Sequence, residues 1–310
     1  MDKMKIHFLN TIWSDAIILE KDNHFAFVDT ATDFYYPMIK DYLKIHNIFE
    51  IEFIILTHFH GDHYGNVASL INDYKVKTLY LKHYYGYEGS TGGGLESNVS
   101  YINNEQNNYK KIIETAVKNE TKIIFIDDLD SDICNIDFKG TNIELYRIEN
   151  QLYNIYNNIN SKYYKQNVFN ENQSCIGVFF KVNNFNIFLG ADLICMPSDE
   201  ESLNYSSIKM IKDIYNNHNI NHIDIYKTCH HGHYENNPQE LCDLINADYA
   251  VITNSTRWTD NYSTIPSLKK ANNDVKILHT DHQKYIFTID ENINYEVIEE
   301  ESLFIILNKN

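Results

Sequence analysis

Residues 51–63 read IEFIILTHFHGDH, an apolar run that ends abruptly in histidines and an aspartate. Only Glu52 interrupts the apolar part, residues 51–56, and a run of this kind predicts a strand buried on both faces under helices. In sheets covered by helices, ligands bind just beyond the carboxyl ends of the strands. The stretch therefore predicts an α/β protein whose chemistry lies directly after residue 56.

Three imidazoles and one carboxylate lie within six residues, at His58, His60, Asp62 and His63. Residues two apart on a strand end or tight loop point the same way, so His58 and His60 can hold one ion. Asp62 and His63 then face a second position beside it. The spacing predicts two divalent metal ions, with Zn as first choice and Fe or Mn as alternatives, because imidazole and carboxylate together suit these metals.

The remaining sequence alternates short strand patterns with helical ones, and it runs twice through strands followed by helices. Two sheets packed face to face between helix layers satisfy this order. We predict an α/β fold, a four-layered αββα sandwich, in a single domain over residues 1–310. Residues 84–100 and 153–172 are predicted loops near the site.

The composition restricts the partners. There are 26 Lys and Arg against 43 Asp and Glu, which gives a net charge of −17. Such a surface repels phosphate backbones and anionic lipids, so nucleic-acid binding and membrane docking are disfavoured. No apolar run approaches the roughly 18–20 residues of a membrane span. Without a signal-peptide pattern or a CxxC pair, the expected location is the cytoplasm.

The HxHxDH pattern at residues 58–63 resembles the metallo-β-lactamase fold family of hydrolases, in which this motif follows a buried strand and supplies ligands to two metals. The resemblance extends over nearly the whole chain. Residues 26–30 resemble the family strand that ends in Asp-(Thr/Ser), which gives Asp29 a structural role. Residues 188–193 resemble its Gly-x-Asp element, whose aspartate, here Asp192, bridges both metals; a turn-capping aspartate is the alternative.

Residues 226–232 resemble the last element of this family, a strand that ends in histidine. In the branch with His-His-Gly, one histidine is a ligand and the other lies beside the open site. Extrapolation from the strand assigns His230 to the metal and His231 to catalysis or substrate contact, with the reverse order left open. Strand alternation points Cys229 away from the His230 side, as expected of a buried structural thiol.

One feature of the family is missing from the sequence. Many members carry another ligand histidine between the HxHxDH motif and the bridging aspartate, yet this chain has no histidine between His83 and His218. The resemblance therefore leaves the first metal one ligand short. Glu149 is the predicted replacement, and Glu171, Asn172 or water are the alternatives.

The His-His-Gly element and the hairpin before it resemble two branches of the family. One is the metallo-hydrolase domain of bacterial DNA-uptake channel proteins, and the other is the teichoic acid phosphorylcholine esterases. Residues 80–84 and 143–150 favour the second branch, and the acidic, arginine-poor composition argues against DNA. Tyrosines such as Tyr84, together with Trp258, could offer aromatic faces to a quaternary ammonium group.

The resemblance implies a binuclear metal-dependent hydrolase in which a hydroxide shared by the two ions attacks the substrate. His58, His60, Asp192 and Glu149 would hold the first ion, and Asp62, His63, Asp192 and His230 the second. Asp62 would also orient the nucleophile, and His231 would protonate the leaving group. The first prediction is a phosphoester or phosphodiester hydrolase acting on a small phosphorylated or choline-bearing ester. The alternatives are hydrolysis of a carboxyl ester, lactone, thioester or β-lactam, and a metal-binding protein with little turnover.

Overall fold

Strands whose side chains are mostly buried, several of them on both faces, build the first sheet of the protein. A computed structural model describes residues 3–84, 95–147, 171–195, 207–255, 263–281 and 283–299. The eight strands of this sheet run in the order β15-β14-β1-β2-β3-β4-β5-β6. They are β1 (Met4–Phe8), β2 (Ala16–Lys21), β3 (His24–Thr30), β4 (Glu50–Ile55), β5 (Lys75–Leu81), β6 (Lys122–Phe125), β14 (Gln283–Ile289) and β15 (Ile293–Glu299).

The second sheet has seven strands in the order β13-β12-β11-β10-β9-β8-β7. They are β7 (Ile133–Phe138), β8 (Thr141–Tyr146), β9 (Gly177–Val182), β10 (Phe185–Leu189), β11 (Ile225–Lys227), β12 (Tyr249–Ile252) and β13 (Lys276–His279). β9 and β10 form the predicted hairpin across residues 183–184. From β10 to β13 the strands are parallel, so their carboxyl ends meet at one edge.

Three apolar layers hold the molecule together. One lies between the two sheets and includes Phe8 of the first sheet and Phe180 of the second. The second lies between the first sheet and the helices α1 (Tyr36–Ile45), α2 (Gly61–Tyr64), α3 (Val67–Asp73) and α4 (Leu95–Lys118). The third lies between the second sheet and the helices α5 (Ser207–His218), α6 (Gln239–Ile245) and α7 (Ile265–Ala271). The predicted four-layered αββα sandwich is confirmed.

The structure corrects two details of the predicted element order. The proposed loop over residues 84–100 is wrong at its end, because α4 begins at Leu95. The sequence analysis also missed β7, where polar and apolar residues alternate through Ile133–Phe138 and only the apolar ones are well buried. Its pairing with β8, rather than its own composition, makes this segment a strand. Most of the second proposed loop, residues 153–170, lies outside the described residues.

A close contact between the segment after β10 and the segment after β11 positions the residues of the site. A Cβ atom at Gly190 would lie 2.7 Å from Cys229 Sγ and 3.0 Å from the carbonyl oxygen of Lys227. Because only glycine avoids this clash, the chain after β10 can run against the chain after β11. Gly190 N donates to Lys227 O at 3.1 Å, and His230 N donates to Ala191 O at 2.8 Å. The residue after Ala191, Asp192, is thereby fixed beside the two histidines.

Two further expectations concern cysteine and membranes. All five cysteines are buried free thiols. Cys229 accepts a hydrogen bond from the Tyr226 hydroxyl at 3.2 Å, and burial raises the pKa of its thiol. This agrees with a structural role for Cys229. Among the described helices, none has the length and apolar character needed to cross a membrane.

Candidate metal centre

Asp29 organises the loop that carries the HxHxDH motif. β3 and β4 are parallel and pair Val28 with Ile55, so Asp29 lies next to the start of this loop. Its two carboxylate oxygens accept hydrogen bonds from Thr57 N at 2.9 Å and Thr57 Oγ1 at 2.7 Å. Asp29 Oδ2 also accepts from His63 Nδ1 at 2.8 Å. These contacts agree with the structural role expected for Asp29.

Two groups of ligand atoms meet at the carboxyl ends of the strands. The first cluster contains His58, His60 and Asp192, and the second cluster contains Asp62, His63, Asp192 and His231; within each cluster the ligand atoms lie within 4.8 Å of one another. Asp192, which follows β10, is common to both. The structure thus brings together the residues that the HxHxDH motif and the Gly-x-Asp element singled out.

The first cluster faces one oxygen of Asp192. His58 Nε2 lies 3.9 Å from Asp192 Oδ2 and 3.2 Å from His60 Nδ1. His58 Nδ1 donates to Thr57 Oγ1 at 3.1 Å, and that hydroxyl donates in turn to Asp29. This series of hydrogen bonds places the proton of His58 on Nδ1 and leaves its Nε2 lone pair directed at the centre, as metal-binding histidines require.

The second cluster faces the other oxygen of Asp192. Asp192 Oδ1 lies 3.2 Å from His63 Nε2 and 3.4 Å from His231 Nε2. Asp62 Oδ2 lies 3.1 Å from His231 Nε2 and 3.7 Å from His63 Nε2. Four protein ligand atoms therefore surround a single point, and the partly exposed Asp62 side chain forms the open side of the cluster.

These atoms fit divalent ions. Ligands of one tetrahedral zinc ion lie about 3.3 Å apart, given bonds of about 2.0–2.1 Å, and most separations in the second cluster are close to this value. His63 Nε2 and Asp192 Oδ1 are buried, yet neither has a hydrogen-bond partner in the described part of the chain. A buried polar atom without a partner is costly, and a cation at this point would satisfy both.

The electrostatics of the cluster also favour cations. Burial opposes the charge on His231, but Asp192 and Asp15 outweigh this effect and raise its pKa to about 9. The pKa of His63 is raised well above its usual range by Asp192 and Asp62, again against burial. The carboxylates around the two imidazoles therefore favour positive charge at this point, which a divalent ion would supply.

A buried ion pair that the sequence analysis missed supports the second cluster. Lys227, fully buried in β11, forms an ion pair with Asp15 and donates to Ala191 O at 2.9 Å. Asp15 Oδ1 accepts from Thr253 Oγ1 at 2.6 Å, and this hydroxyl accepts from His231 Nδ1 at 2.9 Å. His231, Thr253 and Asp15 are thus linked by hydrogen bonds in the same way as a histidine, a threonine and an aspartate behind the first cluster. The only signal in the sequence was that Asp15 directly precedes the apolar residues 16–19 and that Lys227 directly follows the apolar residues 225–226.

The structure gives His231 the place in the second cluster that was expected of His230. His231, not His230, lies with Asp62 and His63 in the second cluster. The prediction extrapolated strand alternation past β11, but both residues have left-handed backbone angles, with φ of 46° and 51°. Because the chain turns there, the alternation does not continue, and the ring of His231 is the one directed into the second cluster.

The candidates for the missing ligand have different positions. Glu149 lies outside the described residues. Glu171 is buried, and its Oε2 accepts from Phe59 N and Lys82 Nζ, both at 3.0 Å, so it fixes the motif loop from behind. Asn172 lies next to the centre, with Nδ2 3.4 Å from His230 Nε2.

Aromatic residues near the centre also differ from expectation. Tyr84 is buried against Phe59, with ring centroids 5.1 Å apart, and belongs to the core of the first sheet. Trp258 lies outside the described residues. Trp13, which the sequence analysis did not single out, is 37% exposed and lies 6.4 Å from the ring of His231. Its φ of 52° is unusual for a bulky side chain, and such strain is often found at functional sites.

Comparisons with known proteins agree with this geometry. Residues 14–128 match the sequence model of the metallo-beta-lactamase superfamily. No curated protein sequence matches the chain. Among solved structures, the metallo-beta-lactamase fold protein YhfI from Bacillus subtilis is similar, with a TM-score of 0.50 and 10% identity over 90% of this chain and 96% of that chain.

Two other similar structures have lower scores. A diphosphatase of the PhnP family has a TM-score of 0.41 and 12% identity, over 81% of this chain and 85% of its own. MEM-A1, a subclass B3 metallo-beta-lactamase isolated from a soil metagenome library, has a TM-score of 0.41 and 9% identity, over 74% of this chain and 80% of its own. Residues 14–128 thus match the sequence model of the metallo-beta-lactamase superfamily, and the chain has the sandwich fold of that superfamily.

Proposed function

We propose that the protein is a hydrolase with two adjacent divalent metal ions and that its substrate is a small phosphoester or phosphodiester. One observation carries the proposal: the two carboxylate oxygens of Asp192 face two separate groups of ligand atoms. A shared carboxylate of this kind is what a pair of neighbouring cations requires. The first ion would be held by the first cluster and the second ion by the second cluster, as defined above.

Bound divalent ions would supply a water that ionises near neutral pH and positive charge for the oxygens of a phosphoryl group. The protein contributes orientation. Asp29 and Thr57 fix the rings of His63 and His58 through Nδ1. Thr253 does the same for His231. Each ring then directs Nε2 into the centre, which is the orientation that a metal-binding histidine requires.

Asp62 is the residue best placed to move a proton. Its carboxylate is in reach of His231 and retains 30% exposure, so it contacts both the centre and the open side where substrate would arrive. Buried charges within the centre, above all that of His63, outweigh burial and lower the pKa of Asp62. The lowered pKa favours the carboxylate form of Asp62, which is the form that can accept a proton from the attacking water.

Two features favour a small ester over a nucleic acid. The net charge of −17 disfavours a polyanion. Trp13 offers an aromatic face next to His231, where it could contact a cationic head group such as choline.

The proposal is tested by metal analysis combined with turnover of bis(p-nitrophenyl) phosphate and p-nitrophenyl phosphorylcholine. We expect about two ions per chain and turnover that chelation removes and added metal restores. An Asp192→Asn preparation is the control for contaminating phosphatases. Two ions with turnover of thioesters or lactones, and none of phosphate esters, would replace the substrate class. A protein without metal would overturn the proposal.

A further inference from the structure

We propose that His230 is the missing ligand of the first ion, so that the adjacent residues His230 and His231 bind different metals. The inference rests on the binuclear site proposed above and adds a ligand that the HxHxDH motif does not supply. It also replaces Glu149 in the role that the sequence analysis gave it.

The positions of the two rings around Asp192 carry the inference. His230 Nε2 lies 3.6 Å from Asp192 Oδ2, the oxygen that also faces His58 at 3.9 Å. His231 Nε2 lies 3.4 Å from Asp192 Oδ1, the oxygen that faces His63. The carboxylate therefore separates the two histidines, one to each side. The 3.6 Å separation is close to the ~3.3 Å between ligands of one zinc ion.

The backbone explains how neighbouring residues reach the same carboxylate. In an extended strand, consecutive side chains point to opposite faces. Here φ and ψ are 46° and 56° at His230 and 51° and 28° at His231, and Gly232 continues with φ of 82°. Left-handed angles cost free energy at residues other than glycine. This turn holds both rings against Asp192, and His230 N is fixed by Ala191 O at 2.8 Å.

A hydrogen bond to Asn236 leaves His230 Nε2 available to a metal. His230 Nδ1 lies 3.0 Å from Asn236 Oδ1, and the side chain of Asn236 is buried. An amide oxygen only accepts hydrogen bonds, so the proton of His230 is on Nδ1 and Nε2 carries a lone pair. Metal-binding histidines are usually oriented by such a bond on the opposite nitrogen. His58, His63 and His231 have the same arrangement.

An unsatisfied amide marks the same position. Asn172 is 6% exposed, and its Nδ2 lies 3.4 Å from His230 Nε2. Within the described residues its Oδ1 has no hydrogen-bond partner. The Nδ2 atom of this amide faces the Nε2 lone pair of His230, and a cation or a water molecule beside the amide would satisfy the unpartnered Oδ1. The first ion would occupy the side of Asp192 on which this amide lies.

The test is a metal titration of purified metal-free protein with Co(II) and Zn(II) against a competing chelator, with the visible spectrum of Co(II) as a report of its ligands. We expect wild type to bind two ions. His230→Ala should weaken one of them by at least about tenfold, change its Co(II) spectrum and leave the other unchanged. His230→Gln, which keeps a polar side chain, repeats the test if the alanine variant does not fold.

His233→Ala is the matched control. This neighbouring histidine lies outside both clusters, with its ring 5.9 Å from that of His230, and its loss should change neither ion. Asn236→Ala should weaken the same ion as His230→Ala, by about tenfold, because the ring loses its orientation.

Each outcome decides a different claim. If wild type binds two ions and folded His230→Ala binds both with unchanged affinity, the inference is overturned and the binuclear site stands. Equal weakening of both ions would overturn the division of the two histidines between the metals. A wild type that binds fewer than two ions refutes the binuclear site itself.

Discussion

The ammonium group of Lys227 is ion-paired with the carboxylate of Asp15, and both side chains are excluded from solvent. Lys227 lies at the end of β11 in the second sheet, whereas Asp15 directly precedes β2 in the first. The pair therefore connects the two sheets directly behind the second cluster. Burial alone would lower the pKa of Lys227, but Asp15 and Asp192 outweigh it and raise this pKa, so the ammonium stays charged.

Loss of this ammonium should be strongly destabilising. Lys227→Met leaves the Asp15 charge buried without its partner, and a broken buried pair typically costs about 3–5 kcal/mol. The free energy of unfolding, measured with urea on chelated protein, checks this value. The double variant Asp15→Asn/Lys227→Met removes both charges and should be more stable than Lys227→Met alone. A double variant as unstable as the sum of the two single variants would contradict an ionic role.

Asp192→Asn should abolish binding of both ions, because both clusters depend on this one carboxylate. Wild type should show a melting temperature that rises with added zinc, since a ligand that binds only the folded state stabilises it. The variant should show little or no rise. Asp213→Asn, a change at a half-exposed carboxylate that belongs to no group of candidate ligand atoms among the described residues, is the control and should respond as wild type does. An unaltered zinc response of Asp192→Asn would refute the shared site.

Asp62→Asn should remove turnover while the fold survives. The amide keeps an oxygen near His231 but cannot accept a proton at neutral pH, and loss of a general base typically costs about 10²–10⁴ in rate. The measurement is kcat with the phosphoester that wild type hydrolyses, alongside circular dichroism. Full turnover by this variant would show that the proton goes elsewhere.

Glu20 should make the free energy of unfolding depend on pH in the acid range. It accepts hydrogen bonds from Lys5 and His7 on the neighbouring strand, both at 2.9 Å. Burial raises the pKa of Glu20, but these partners outweigh it and lower the pKa to about 2. A lowered folded-state pKa gives stability that is present above the unfolded value of about 4.5 and is lost as pH falls towards 2.

The measurement compares urea unfolding of metal-free wild type and Glu20→Gln from about pH 6 down to about pH 3. The stability difference in favour of wild type should be largest at the upper end and shrink below about pH 4.5. A difference that does not depend on pH would contradict an electrostatic origin.

The fold and most of the centre could be predicted because their signals are local. The buried strand, the HxHxDH motif and the Gly-x-Asp element each lie within a few consecutive residues, and so do their physical causes. Asp15 and Lys227 could not be paired in this way, since only the packing of the two sheets brings them together. The positions of His230 and His231 depend on backbone angles in a turn that strand alternation does not describe.

The ligands of the centre are split along the chain as well as between the sheets. His58, His60, Asp62 and His63 lie within the first 63 of the 310 residues, whereas Asp192, His230 and His231 come much later. In the proposed binuclear site, neither ion would meet its full set of ligands until about three quarters of the chain had been synthesised. Until then the early histidines would offer only part of the proposed ligand set. Under that proposal, metal loading would come at the end of synthesis, after both sheets have folded against each other.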